Sequence, residues 1–517
     1  MHASPALDTE VLIVGAGPTG LVLALWLTRL GVRVRVIDKT AEPGTTSRAL
    51  AVQARTLELY GQIGLADEIV KRGRRIAAAN LWVAGQQVAR AVFGDMGVGI
   101  SPYPYALIFP QDEHERLLID RLAEVGVQVE RRTELLNFED ASGRVLARLQ
   151  RSGGEPEMCE AAYLAACDGA RSTVREALDI GFPGGTYTHL FYVADVDASG
   201  TATNGEVHVA LDRTDFLVVF PLKGEGRARL VGTVREDAEH QPENLSWDDV
   251  SKSVIEWMRM DVARVNWFST YRVHHRVADR FREGREFLLG DAAHIHSPVG
   301  GQGMNTGIGD AVNLAWKLAA VLRGRANAAI LDSYETERIA FARRLVATTD
   351  QVFTGVTSED AIARALRLHV VPFLIPSLFA SRAVRRFMFR TVSQTAVNYR
   401  TSTLSQGSTG RLHGGDRLPW VKRNSDGLDD DNFKPLKSLD WQVHVYGSAR
   451  PEIGAICEQR RLSLHVFGWQ QDMGQSGLQR NAVYLVRPDG YVAAVDGEGH
   501  AEALTSYFDA HQITPKA

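Results

Sequence analysis

Two stretches of this 517-residue chain hold residue types at spacings that chemistry can use. The first is GAGPTG, residues 15–20. Gly15 suits a tight turn, Gly17 lets the backbone approach a pyrophosphate, and Gly20 lets the next helix pack closely on the strand before it. Free N–H groups at that helix start then receive phosphate charge. The second stretch is FLLGDAAHIHSPVGGQGMNTGIGDA, residues 287–311. It packs aspartates, histidines and a run of glycines into one turn-rich segment. Three kinds of chemistry fit it: a divalent metal on Asp291, His294 and His296, a phosphate loop, or half of a cofactor site completed elsewhere in the chain.

The flanking elements decide how each stretch is presented. EVLIV (10–14) reads as a buried strand, LVLALWLTRLG (21–31) as an amphipathic helix ending at Gly31, and VRVRVID (32–38) as a second, alternating strand. Asp38 closes that strand eighteen residues past Gly20, close to the spacing of a ribose-binding carboxylate. Strand, glycine turn, helix and acid together predict a dinucleotide site, without deciding between flavin and nicotinamide. No second GxGxxG lies between a strand and a helix, so a protein using both would hold one of them without a Rossmann module. In the second stretch, Gly290-Asp291 ends the strand EFLLG, where a doubly wound sheet places its ligands. That position disfavours the metal and leaves the histidines as packing residues or solvated groups near a cofactor.

Size and composition bound the rest. The length predicts two to four domains. A formal charge of −4 argues against a nucleic-acid partner. Three cysteines (Cys159, Cys167, Cys457) provide neither a disulfide framework nor a thiolate zinc site. MHASPALDTE lacks the features of a signal peptide, and the apolar runs are too short to span a bilayer. The expectation is a cytoplasmic protein without a membrane partner.

LAACDGARSTVREAL (164–178) adds a third strand–turn–helix unit, with Asp168-Gly169 at its turn. In order and spacing, GAGPTG, this unit and LLGDAAHIHSPVGGQGMNTGIGDAVNLAWKLA resemble the class A flavin-dependent aromatic monooxygenases. The resemblance is to the branch of phenol hydroxylase, pentachlorophenol monooxygenase and the polyketide hydroxylases. It implies an α/β fold: a Rossmann-like FAD-binding domain of the para-hydroxybenzoate hydroxylase type, an antiparallel-sheet substrate domain and a C-terminal thioredoxin-like domain. By the same resemblance Gly15, Gly17 and Gly20 line the FAD pyrophosphate and Asp38 takes the ribose. Arg48 reaches the FAD, Gln111 sits beside the ribityl chain, Asp168 serves FAD and NAD(P)H, and Gly290-Asp291 binds the ribityl and pyrophosphate region. Pro298, Gly301, Gly303, Met304 and Asn305 border the isoalloxazine ring, where a helix start from Met304 would favour the charge of reduced flavin by about 0.3–2 kcal/mol. Asp38 stands where the family more often has glutamate, and Ala166 where glycine is common.

The expected boundaries are residues 1–185 and 276–345 for the FAD-binding domain and 186–275 for the substrate sheet. A helical segment fills 346–405, and the thioredoxin-like domain, without a redox Cys-x-x-Cys pair, spans 411–517. Tyr192, His208, Val218 and Phe220 are candidate pocket residues. Arg48, Pro298, His208 and Tyr192 are the candidates nearest the chemistry, His208 and Tyr192 as guesses for a base. Glu335 and Arg338 are expected to pair on a solvated helix face, and 424–435 to form an exposed acidic loop. The implied reaction uses NADPH or NADH and O2 to hydroxylate a phenolic or polycyclic aromatic substrate through a flavin hydroperoxide, in a monomer or homodimer. Dehalogenating, denitrating or Baeyer–Villiger outcomes stay open, as do a nicotinamide dehydrogenase and a non-catalytic protein that sequesters an aromatic ligand.

Overall fold

The computed structural model describes residues 7–44, 49–93, 96–211, 216–234, 245–297, 301–357, 380–423 and 430–515. The chain opens with β1 (Thr9–Val14), α1 (Pro18–Arg29) and β2 (Val34–Asp38). β1 is buried along nearly its whole length and α1 from Gly20 to Leu27, as befits a strand and helix at the centre of a covered parallel sheet. Then follow α2 (Ala54–Gln62), β3 (Ala78–Val83), α3 (Gln111–Glu124), β4 (Val129–Arg131) and β5 (Glu157–Ala166).

The middle of the chain supplies long strands: β6 (Gly184–Gly200), β7 (Val207–Leu211), β8 (Phe216–Pro221) and β9 (Arg227–Val234). The short helix α4 (Ser253–Trp257) and the long β10 (Met260–Val277) complete it. The chain then returns through β11 (Glu286–Leu288), β12 (His294–Ile295), α5 (Gly303–Leu322) and α6 (Asp332–Thr357). After α7 (Arg382–Val392) the C-terminal part holds β13 (Gln442–Tyr446), α8 (Pro451–Gln459) and β14 (Ser463–Phe467). It ends with β15 (Val483–Val486), β16 (Val492–Asp496) and α9 (Ala501–His511).

Three sheets organise these elements. The first has a parallel core in the order β11-β5-β1-β2-β4. The second runs β12-β10-β6-β9-β8-β7-β3, antiparallel except at β7–β3. The third has the order β14-β13-β15-β16, with the first pair parallel and the others antiparallel.

Two features depart from the expected boundaries. Residues 78–92, placed by sequence within the first part of the FAD-binding domain, form a hairpin on the second sheet, where β3 pairs with β7 and Gln86–Val92 forms the sheet edge. Of the expected helical segment 346–405, residues up to 357 continue α6 and Arg382–Val392 form α7, 358–379 lie outside the described residues, and 393–405 are turns with one bridge from Asn398 to Asp416.

The stretch that starts at Phe287 links two sheets. β11 pairs with β5 in the first sheet, and a few residues later β12 pairs with β10 in the second, through Arg276 with Ile295 and Val277 with His294. One apolar core joins α1, α5 and the first sheet to the C-terminal part, with Trp316 of α5 edge-on to Trp441 at 5.6 Å. Beside it lies a charged junction with no exposed member: Lys317 and Arg487 converge on Glu337, and Arg487 also grips Asp489. Opposite charges that deep compensate one another's desolvation. Among the described residues, no helix is long and apolar enough to cross a membrane.

Candidate functional site

The three motifs meet at the carboxyl ends of adjacent parallel strands. β1 ends at Val14, β5 at Ala166 and β11 at Leu288. Cys167 N–H donates to the Val14 carbonyl at 2.7 Å and Leu289 N–H to the Ala166 carbonyl at 2.9 Å. Ligands of open α/β sheets bind at this edge.

The glycines divide by cause. Gly15 adopts φ +103°, and a Cβ there would overlap the Cys167 carbonyl; a Cβ on Gly20 would overlap the Gly15 carbonyl oxygen. Those two positions are fixed by protein packing. Gly17 differs: its φ of −77° suits any residue, and a Cβ would meet no protein atom within 4 Å. It is the N-cap of α1, no side chain caps the helix, and its first turn holds no acid. An open glycine at an uncapped helix start fits an approaching pyrophosphate.

Asp38 is tied to the same loop. Its carboxylate accepts from Ala16 N–H at 2.8 Å and from the Thr40 N–H and hydroxyl, with the Arg131 guanidinium 3.6 Å away. Gln111 begins α3, donates its N–H to the Ala49 carbonyl and its side-chain amide to Glu115 at 2.8 Å. Asp168 accepts from Val174 N–H through Oδ2, while its buried Oδ1 has no hydrogen-bond partner. Burial raises the Asp168 carboxyl above its ordinary value, against the hydrogen bonds from Ser172 and Val174 that lower it. A buried oxygen left unpaired in the protein fits a site that a polar ligand completes.

Gly290 has φ +58°, and Asp291 beside it is exposed in a single 3-10 turn. A Cβ on Gly290 would fall 2.7 Å from the Thr19 hydroxyl, and one on Gly307 of α5 would overlap the same atom. Glycine on both sides thus lets α5 close onto the start of α1, bringing the two halves of the site together. Gly301, at φ +61°, faces Ala51, and Gly303 begins α5, whose first turn carries no acid. Met304 packs against the main core. The Asn305 amide is consumed within the protein: it accepts from Gln53 N–H and the Thr56 hydroxyl and donates to the Ala51 and Gly301 carbonyls. Asn305 therefore shapes the loop rather than offering a donor to a ligand. Arg48 and Pro298 lie outside the described residues.

Sequence reasoning missed the residue that ties this region together. Asp310 of α5 is fully buried and accepts from Gly290 N–H (3.0 Å), from His294 Nε2 (2.7 Å) and from Arg338 Nε (2.6 Å). Arg338 holds its carboxyl below the ordinary range against the effect of burial. The signal was a charged residue in an otherwise apolar helical stripe. The expected solvated pair of Glu335 and Arg338 is corrected accordingly. Arg338 is buried on Asp310, and Glu335 accepts from the Phe281 and Arg282 N–H groups.

The second sheet has two faces, and the candidate base residues lie on the one turned away from the first sheet. Tyr192 stacks with Phe268, and His208 accepts from the Trp82 indole N–H through Nδ1 at 3.0 Å and donates through Nε2 to Asn204 Oδ1 at 2.9 Å. His208 pairs across with Val219, which packs with Tyr192 in the cluster around α4. Burial lowers the His208 pKa. Tyr192 and His208 are therefore corrected from base candidates to the core under α4. Val218 and Phe220 alternate onto the opposite, inner face, where Phe220 packs with Leu50 and Ile108. Tyr187, Phe191, Phe216 and Tyr271 cluster on that face as well. At its end nearest β12, the Tyr187 hydroxyl donates to Asp350 of α6. His275 lies 3.8 Å from the same carboxylate, its ring 4.7 Å from that of Tyr187.

A parallel sheet with a glycine-turn pyrophosphate cradle, an acid closing its second strand and a second, antiparallel sheet at its side defines a dinucleotide-binding protein. Comparison with known proteins makes this specific. The FAD binding domain family matches residues 8–349, and the chain belongs to that family as a flavin-dependent monooxygenase. It is 40% identical to 6-methylpretetramide 4-monooxygenase of Streptomyces rimosus over 98% of this chain and 94% of that protein. It is 32% identical to a flavin-dependent monooxygenase of Mycobacteroides abscessus over 95% of this chain and 97% of that one. Among solved structures, OxyS anhydrotetracycline hydroxylase from Streptomyces rimosus superposes with a TM-score of 0.77 at 28% identity, covering 98% of this chain and 100% of that one.

Proposed function

We propose that this NAD(P)H-dependent flavin monooxygenase hydroxylates a phenolic ring of a polycyclic aromatic substrate. The carrying observation is the inner face of the second sheet. It presents Tyr187, Phe191, Phe216, Val218, Phe220 and Tyr271 toward the FAD-binding part, five of them only partly buried. Ring-shaped apolar surface of this extent favours a flat, multi-ring ligand over a small acid. The similarity to 6-methylpretetramide and anhydrotetracycline monooxygenases supports the same substrate class.

Gly15, Gly17 and Gly20 with the start of α1 hold the pyrophosphate, Asp38 the ribose, and Gln111, Asp168, Gly290 and Asp291 the remainder of the FAD. Gly301, Gly303 and Met304, with Pro298 before them, border its ring. When bound, FAD supplies the redox chemistry that activates oxygen. The protein positions the ring substrate against it, excludes water and holds protons. Tyr187, His275 and Asp350 form a titratable trio at the end of the inner face where β10 meets β12. That trio takes the proton the substrate gives up. The C-terminal part is a structural, thioredoxin-like domain, a reading that its strand order β14-β13-β15-β16 supports. Its only cysteine, Cys457, is buried with a thiol pushed up to about 11 by that burial.

The test is substrate-dependent NADPH oxidation across simple phenols, polycyclic phenols, and nitro- or halophenols, with product masses recorded. Turnover confined to polycyclic phenols with a gain of one oxygen supports this reading. Turnover confined to halo- or nitrophenols with release of halide or nitrite contradicts it.

A further inference from the structure

The family needs a nicotinamide dinucleotide, yet the chain has one Rossmann turn and the FAD occupies it. Where the reductant's phosphates rest is therefore open. The described surface offers one stripe suited to them. On α7, Arg382, Arg386 and Arg390 recur at every fourth position, so they align along one side of the helix over about 12 Å. Arg382 and Arg390 are exposed and Arg386 is partly so. Arg386 donates only to the Val98 carbonyl at 2.9 Å, and none of the three is ion-paired among the described residues. Asp416, the carboxylate felt by Arg390, is already gripped by both ends of the Arg400 guanidinium at 2.6 and 2.9 Å. Among the described residues, three arginines aligned on one helix side without an ion pair form a concentrated positive stripe.

The stripe is anchored to the ring end of the flavin site. The Val392 carbonyl at the close of α7 accepts from the Gln302 side chain at 2.8 Å, and Gln302 is the N-cap of α5. Gln394 donates to Gln302 Oε1 at 2.7 Å, and the Ser393 carbonyl accepts from Arg55 N–H at 3.1 Å. Phe389, from the same helix, packs on Ala54, Met96 and Ile100. α7 is thus fixed to the first turn of α5, the segment assigned to the isoalloxazine.

We propose that Arg382, Arg386 and Arg390 bind the phosphates of NADPH, including its 2′-phosphate, while the nicotinamide reaches the flavin beside the Gln302 turn. This rests on the flavin being reduced by a nicotinamide dinucleotide. Guanidinium groups suit the task because each can meet two phosphate oxygens at once. Arg386 is already depressed by burial and by Arg382, and Arg390 by burial, Arg386 and Arg417. An anion between them relieves that repulsion. The extra charge of the 2′-phosphate gives NADPH the advantage over NADH.

The experiment is anaerobic flavin reduction of the holoenzyme against nucleotide concentration, for wild type, Arg382→Gln and the Arg386→Gln/Arg390→Gln pair. Expected are a dissociation constant for NADPH raised about tenfold in the double variant, an unchanged limiting reduction rate, unchanged FAD content and a reduced preference over NADH. The salt dependence of NADPH binding becomes shallower. Arg382→Gln, at an exposed position, gives a smaller change in the same direction and guards against loss of fold in the pair. An unaltered NADPH dissociation constant in both variants overturns the proposal. So does a rise confined to the aromatic substrate's KM, which would assign the stripe to an anionic substrate instead. A wild-type flavin that neither nucleotide reduces would overturn the reductant reading itself, a result distinct from either.

Discussion

Replacing Gly17 with alanine separates a ligand's glycine from a fold's glycine. The added Cβ meets nothing within 4 Å, and the backbone at φ −77° accepts alanine without strain. The remaining cost is that of alanine as an N-cap, at most about 1 kcal/mol. The apo protein should therefore unfold close to wild type. FAD binding should fail, because the methyl group occupies the space that a pyrophosphate needs. Loss of even one charge-assisted phosphate contact, worth about 1.5–3 kcal/mol, weakens affinity by at least tenfold. Gly15→Ala and Gly20→Ala behave oppositely. Their methyl groups would overlap the Cys167 and Gly15 carbonyls, so each should destabilise the apo protein by about 1–3 kcal/mol or more. Thermal unfolding of apo protein and FAD titration by fluorescence quenching report the two quantities. A Gly17→Ala protein that binds FAD like wild type refutes the reasoning.

Asp168 yields a prediction on pH. Its folded pKa is raised above 3.8 by burial, so its stabilising contribution is complete at acid pH and is lost as pH rises through the raised value. Asp168→Asn should make apo protein more stable than wild type at pH 7, remove that part of the pH dependence seen in denaturant melts, and weaken FAD binding. Asp310→Asn should destabilise by about 3–5 kcal/mol in urea unfolding, since it strands the buried Arg338 guanidinium; a loss below 1 kcal/mol would deny Asp310 its clamping role. His275→Asn and Asp350→Asn should each slow product formation with normal FAD content, and unchanged rates would remove the trio from the proton path.

The sequence disclosed what a short segment determines alone. GAGPTG between a strand and a helix announced a turn, a close approach and a helix start, because each demand falls on residues adjacent in the chain. Asp310 was hidden because its partners come from Gly290, His294 and Arg338 in different elements. Tyr192 and His208 failed for a reason of parity. Alternation shows that a strand has two faces, but which one looks toward the flavin depends on where α4 packs, and a shift of one residue exchanges Tyr192 for Phe191. The hairpin at 78–92 was misplaced since its partner, Val207–Leu211, lies more than a hundred residues along the chain. Its own alternating pattern does not say which sheet it joins.

Turnover of a polycyclic phenol under isotopically labelled dioxygen tests the central claim most directly. The account predicts a FAD-containing protein whose NADPH oxidation is stimulated by the phenol and whose product carries one labelled oxygen atom, the other appearing in water. NADPH consumed only to hydrogen peroxide with every ring tested, or a hydroxylated product whose new oxygen is unlabelled, would contradict it.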